Sequence, residues 1–201
     1  MKRIINLFTV AVVLAVAISS CNTNTVNNQE IPKENETINT IMNRKSVRSY
    51  TPQPVEKEKV DILVKAGLAA PSGKDIRPWD IVVIDDRALL DQMGDELRNA
   101  SMLKEAPLAI VVCGDTVKSF YWYLDCAAVT QNILLAAEAV GLGAVWTAAY
   151  PYQDRMQVIE SHINMPSQIR PFVVIPIGYP KGEQTVKDKY DATKVHYNDV
   201  W

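Results

Sequence analysis

Hydrophobic residues fall along this chain in three rhythms. From Ile4 to Ile18 they form a run broken only by Asn6 and Thr9, preceded by Lys2 and Arg3 and followed by Ser19-Ser20-Cys21. Elsewhere they recur every three or four positions, the spacing of a helix with one buried face. In three places they form short continuous runs rich in β-branched residues, the mark of buried strands. The helical rhythm predicts a helix from a capping Thr37 through Asn43, with Ile38, Ile41 and Met42 on one face. Thr51-Pro52-Gln53-Pro54 breaks the chain, and Glu56–Ala70 is predicted helical until Pro71 stops it. Further helices are predicted over Arg87–Asn99 and Gln153–His162. The apolar runs predict buried strands at Trp79–Ile84 and Leu108–Cys113, a strand at Phe172–Ile177 and a short strand at Ala144–Ala149.

Ser119–Val140 is different. It is helical in spacing but apolar on nearly every side, with Phe120, Trp122, Leu124, Val129, Ile133 and several alanines. Such a helix must be covered all round. It is either the core helix of a monomer or a central helix shared with a second subunit. Gly141-Leu142-Gly143 stops it. The whole alternation of helices and strands indicates a three-layer α/β or α+β domain.

Domain organisation follows from the first rhythm. A basic start, an apolar run and small residues before Cys21 have the form of an export signal. Ile18-Ser19-Ser20-Cys21 resembles a bacterial lipobox, which makes Cys21 the expected lipidated first residue of the mature protein. An uncleaved membrane helix is the alternative, although the run is short for the roughly 20 residues that span a bilayer. Residues 21–36 carry no apolar period and are predicted to be a flexible tether, leaving 37–201 as the domain. The expected location is the cell envelope, outside the cytoplasm and anchored to a bacterial membrane by lipid.

Composition narrows the chemistry. The 201 residues carry 21 Lys and Arg against 23 Asp and Glu, a net charge of -2. No basic excess points to nucleic acid. With 2 His and 3 Cys, a zinc site or a His-based hydrolase has few ligands available. Cys113 and Cys126 are read as buried free thiols or, in an oxidising compartment, as a disulfide pair.

Candidate binding chemistry lies near both ends of the domain. Arg44 and Arg48 flank Ser46 and would share a face on a helix end. Lys187 and Lys189 point one way if their segment is extended. Each pair is ordinary as a solvated surface; together they suit the oxygens of a dianionic phosphate. No glycine-rich dinucleotide fingerprint and no Walker loop is present. The loop from Ala70 to Trp79 offers a hydroxyl, a carboxylate and a glycine between a helix and a strand.

These blocks, in order, resemble the FMN-dependent nitroreductase family. Arg44-Lys45-Ser46-Val47-Arg48 is similar to its N-terminal Arg-x-Ser-x-Arg/Lys block, and Ala70–Trp79 to its Ala-Pro-Ser loop. Asp125–Trp146 is similar to its central helix and Gly-Leu-Gly turn. Ile177-Gly178-Tyr179-Pro180 resembles its last strand ending, and Lys187-Asp188-Lys189 its phosphate clamp. The resemblance implies an α+β, three-layer nitroreductase-like fold with a mainly antiparallel central sheet flanked by helices. It also implies a homodimer with FMN at the subunit interface. Arg44, Lys187 and Lys189 are then expected on the phosphate, Ser46 on the cofactor, and Arg48 at the N1–C2 carbonyl edge of the ring. Pro71, Ser72, Gly73 and Asp75 are expected from the other subunit, and Asn99 at the pyrimidine end. Thr147, Ala148 and Ala149 are expected to pass the ring with a backbone N–H near N5. The implied reaction is ping-pong transfer from NAD(P)H to nitroaromatic, quinone or activated-alkene acceptors. The alternative is a non-catalytic flavin or ligand carrier. Asp75 and Arg77 stand where the family often has Asn and Gln, so Asp75 is expected either to pair with Arg77 or Lys74 or to lower the flavin potential.

Overall fold

A computed structural model describes residues 35–198. The expected leader, the lipidation site Cys21 and the tether through residue 34 lie outside them, as does Trp201. The first helix, α1, spans Glu36–Asn43. Its cap is Asn35 rather than Thr37: the Asn35 side chain accepts the Ile38 N–H at 3.1 Å, while Thr37 sits in the first turn. The helix therefore begins inside the segment expected to be tether. Ile38, Ile41 and Met42 share a face as predicted, but they remain 47%, 47% and 68% exposed.

Helix α2 (Lys57–Leu68) lies on α4 (Trp122–Ala139), burying Leu63 and Gly67. Gly67 permits the approach, since an ideal Cβ there would sit 2.9 Å from Cγ1 of Ile133. Helix α3 is Arg87–Glu96, shorter than predicted, because the chain turns at Leu97 into a 3-10 stretch over Arg98–Lys104 that carries Asn99. Helix α5 is Gln153–His162.

The sheet contains β1 (Trp79–Ile84), β2 (Leu108–Asp115), β3 (Gly143–Ala144), β4 (Thr147–Ala148) and β5 (Ile169–Gly178). Its order is β1-β2-β5-β3, with β4 also on β5, and every pairing is antiparallel. The predicted strand at Ala144–Ala149 is two short ladders in one register on β5, Ala144 opposite Ile177 and Ala148 opposite Val173. Strands β2 and β5 are central and buried. Strand β1 is not the buried strand its apolar run suggested. It is an edge, and Asp80 and Val83 are exposed there.

Alternation along the strands sorts the core into two layers. Ile110, Val112 and Ile175 pack with Leu63, Val129 and Ile133 of the α2–α4 layer. Ala109, Val111 and Val174 pack with Leu90, Met93 and Ile159 of the α3–α5 layer. The architecture is thus α+β in three layers. Cys113 belongs to the second layer and Cys126 to the first, so the sheet separates them, and both are free and buried. The Cys126 thiol donates to the Cys113 carbonyl at 3.3 Å. Burial pushes the Cys113 thiol up to about 12 and raises that of Cys126 further.

One close approach fixes α4 against the sheet. At Gly114 an ideal Cβ would lie 2.5 Å from Cε3 of Trp122 and 2.9 Å from Sγ of Cys126. Among the described residues no helix is long and apolar enough to cross a membrane, and no cluster of potential metal ligands occurs.

Candidate functional site

The first group of site residues follows α1. The helix ends at Asn43, and Arg44 has ψ 129, so the chain runs extended rather than as a helix end. Ser46 bridges Ala144 in parallel, and the Val47 N–H donates to the Ala144 carbonyl at 3.1 Å. Val47 is fully buried, packed against the bare backbone of Gly143, where an ideal Cβ would meet its side chain at 2.7 Å. In extended chain the neighbours of a buried residue face the other way. Arg44, Ser46 and Arg48 therefore do share a face, by a period of two rather than by helical spacing. Lys45 lies on the opposite side and pairs with Glu138 at 2.8 Å, near the end of α4. Among the described residues neither Arg44 nor Arg48 has an ion-pair partner.

This strip is tied firmly to the fold. The Tyr50 hydroxyl lies 2.6 Å from the Val47 carbonyl oxygen and 3.0 Å from that of Pro176, and burial holds its phenol well above the ordinary value. The Ser49 hydroxyl and Tyr50 N–H donate to Glu105, which holds that carboxyl below its usual range. Tyr50 bridges Pro180, and the Lys181 N–H donates to the Ser49 carbonyl at 3.0 Å. The C-terminal tail thus leaves the domain beside Arg48. Lys187 is six residues beyond Lys181, a reach of about 20 Å if extended. Lys187 and Lys189 are exposed, and no ion pair joins them to another group among the described residues.

The second group is β4. The Ala149 N–H donates to the Phe172 carbonyl at 3.0 Å, so it is not free for a ligand. The Thr147 hydroxyl donates to the Val174 carbonyl at 2.6 Å. Antiparallel ladders alternate hydrogen-bonded and non-hydrogen-bonded pairs. With Ala149–Phe172 bonded, Ala148–Val173 is the non-bonded pair, and the N–H and C=O of Ala148 turn away from β5. Of the three expected residues, Ala148 is the one whose N–H faces outward. Its carbonyl accepts from Asn99 Nδ2 at 3.2 Å and from Arg155 Nη1 at 3.0 Å. Aromatic rings brace both flanks: Trp146 lies 5.5 Å from Phe172, and Tyr150 lies 4.8 Å from Trp122. Arg155 was not singled out in the sequence, where it reads as a solvated helix residue.

The third group is the loop after α2. The Gly73 N–H donates to Oδ1 of Asp125 at 2.9 Å, and the Ser72 hydroxyl accepts the Arg77 N–H at 3.0 Å. Asp125, only 6% exposed, is a second residue the sequence did not mark. Asp75 forms a bidentate pair with Arg77, both contacts 2.7 Å, and this holds its carboxyl below the usual range. Asp75 thus takes Arg77 as its partner, with Pro71 exposed at the start of the loop. This loop sits at the first turn of α4, whereas Lys45 marks the last. From Asp125 to Glu138 is 13 residues, about 20 Å along the helix. Within one chain, then, Pro71–Asp75 and Arg44–Arg48 lie at opposite ends of α4.

Residues 41–101 and 94–179 match the nitroreductase family. A Methanothermobacter thermautotrophicus protein provisionally named NADH dehydrogenase/NAD(P)H nitroreductase is 37% identical over 80% of this chain and 86% of its own. A crystal structure of a Bacteroides thetaiotaomicron protein with the same provisional name superposes with a TM-score of 0.81 at 57% identity, over 82% of this chain and 98% of that one. The structure of an FMN-dependent nitroreductase from Clostridium difficile superposes with a TM-score of 0.77 at 33% identity, over 81% and 99%. With the extended Arg-x-Ser-x-Arg strip, the outward Ala148 and the loop at α4 all in place on that fold, the chain belongs to the nitroreductase family.

Proposed function

We propose that this protein is an FMN-dependent oxidoreductase that passes electrons from NAD(P)H to nitroaromatic, quinone or activated-alkene acceptors, donor and acceptor occupying the site in turn. The observation that carries the reading is the outward N–H of Ala148 on the same β5 scaffold as Arg44 and Arg48, which have no ion-pair partner among the described residues. Ala144 and Ala148 face Ile177 and Val173, four residues apart on β5, or about 13 Å. A planar ring with a short sugar-phosphate chain bridges such a span. The small side chain of Ala148 leaves room for the ring. FMN, when bound, supplies the hydride chemistry. Arg44, with Lys187 and Lys189 from the tail, holds the phosphate, and the Ser46 hydroxyl binds beside them. The Arg48 guanidinium favours negative charge at the N1–C2 carbonyl edge. Asn99 keeps its amide oxygen for the pyrimidine end, and the Ala148 N–H orients N5.

The working unit in this reading is a homodimer. Pro71, Ser72, Gly73 and Asp75 lie about 20 Å along α4 from Arg44 in their own chain, so they complete the site of a second copy. The apolar surface left by one chain supports this. Ile38, Ile41, Phe120 and Leu124 are all exposed, and a groove of about 400 Å³ runs between α1, α2 and α4 along Ile41, Ala66 and Leu135. The deciding experiment is the absorbance spectrum of the purified protein. A flavin band that bleaches with NADPH or NADH and returns on adding menadione or a nitroaromatic is expected. A band that no reduced nicotinamide bleaches favours a carrier, and a colourless protein that ignores added FMN overturns the reading.

The Ser19-Ser20-Cys21 sequence supports a lipid anchor at the cell envelope. Cys21→Ala is expected to move the protein from the membrane fraction to the soluble one. Continued sedimentation with membranes rejects lipid at Cys21 as the sole anchor.

A further inference from the structure

We propose that Arg155 is a positioning residue of this site, clamping the peptide that follows Ala148 so that Ala148 keeps the backbone setting in which its own N–H faces outward, and placing a fixed positive charge beside N5. The inference rests on the FMN reading above and adds a residue that the sequence blocks do not contain. Arg155 comes from the first turn of α5 and is half-buried. Its guanidinium carbon lies 4.0 Å above the centre of the Tyr152 ring, which fixes the side chain on the helix surface. From there Nη1 reaches the Ala148 carbonyl at 3.0 Å, while Asn99 reaches the same oxygen at 3.2 Å from the stretch after α3. A carbonyl oxygen has two lone pairs, and both are taken.

The consequence is local rigidity. The peptide between Ala148 and Ala149 is tied at both ends, its oxygen to Arg155 and Asn99 and its N–H to Phe172. The N–H of Ala148 lies in the preceding peptide, with the Thr147 carbonyl, and Thr147 is laddered on Val174. With the planes on both sides of Ala148 held, its backbone torsions have little room to change and its N–H keeps its outward setting. Solvent alone would satisfy this oxygen, because a pocket of about 350 Å³ lined by Arg98, Asp154 and Val158 opens beside it. A neutral donor such as glutamine would also serve. What arginine adds is a charge that pH does not remove and a planar group that stacks. Asp154 and Glu96 also line this pocket, but Glu96 faces His162 at 3.1 Å, and neither carboxylate contacts Arg155 within ion-pair distance.

The test uses the full chain with Arg155→Gln, Arg155→Lys and Arg155→Leu, reading FMN affinity, the flavin midpoint potential and the thermal midpoint of FMN-free protein. Arg155→Gln is expected to weaken binding of reduced relative to oxidised FMN about tenfold, a potential lower by about 30 mV for two electrons. Arg155→Lys is expected to restore most of that loss, and Arg155→Leu to show it with a weaker flavin circular-dichroism signal as well. An unchanged potential in Arg155→Gln, or a change confined to the thermal midpoint, overturns the inference and leaves the FMN reading intact. Failure of the unsubstituted protein to hold FMN overturns both. If Arg155→Leu does not fold, the Gln and Lys pair decides.

Discussion

Alanine at both Arg44 and Arg48 is expected to weaken FMN binding by about 10²–10⁴-fold while leaving the cofactor-free fold nearly as stable as before. A hydrogen bond to a charged group contributes about 1.5–3 kcal/mol. Two such losses, at about 1.4 kcal/mol per tenfold, give that range. The fold is spared because both side chains face outward and have no ion-pair partner among the described residues. The packing of this strip belongs to Val47 and Tyr50 on the other side. Removing Lys187 and Lys189 should cost less, since they are exposed point charges on a polar tail and are screened by salt. Titration of FMN fluorescence at low and physiological salt measures both effects. A dissociation constant within about threefold of the unsubstituted protein, far less than one lost charged hydrogen bond, places the cofactor elsewhere.

Gly114→Ala should be the most damaging single-methyl change in the core. The new Cβ would meet Cε3 of Trp122, part of a rigid ring, and Sγ of Cys126, which is buried and held by the Cys113 carbonyl. Trp122 cannot yield easily, because its ring packs 4.8 Å from Tyr150 and 6.3 Å from Phe172. Helix α4 would have to retreat from the sheet. Overpacking of this kind costs about 1–3 kcal/mol, and the rigid surroundings put this site at the upper end. The displacement would also reach β4, since Tyr150 and Phe172 flank the Ala148 peptide. Urea unfolding gives the stability, and FMN affinity reports the second effect. A loss below about 0.5 kcal/mol, typical of surface substitutions, would show that α4 adjusts freely. At Gly67 the nearest atom, Cγ1 of Ile133, would lie at 2.9 Å, a less severe overlap.

Much of this arrangement was legible in the sequence, for physical reasons that can be named. The bounds of β1 and α5 follow from apolar runs and helical spacing alone. The exposure of β1 does not, because an apolar run is the same string in an edge strand as in a central one. Arg44 and Arg48 share a face under a helical or an extended period, so that inference survived the wrong local conformation, whereas Ser46 joins them only in extended chain. The pairing of Asp75 with a nearby cation was one of two options, and Arg77 rather than Lys74 takes it, since opposite charges two apart are free to meet across a turn. Arg155 and Asp125 were illegible. Their roles depend on a carbonyl and an N–H that the fold brings from distant parts of the chain, and no local spacing encodes that. The capping of α1 by Asn35 was missed because two polar residues, Asn35 and Thr37, compete for the position and only one reaches the Ile38 N–H.

The division of the two thiols between opposite sides of the sheet has a practical corollary. Each sulfur is protonated and shielded in its own layer, so the covalent framework of the described residues is indifferent to the redox state of its surroundings. Alkylating reagents meet these groups only when β2 parts from α4 or from the α3–α5 layer. Labelling at Cys126 and Cys113 can then be timed separately, giving a built-in clock for the breathing of each half of the core.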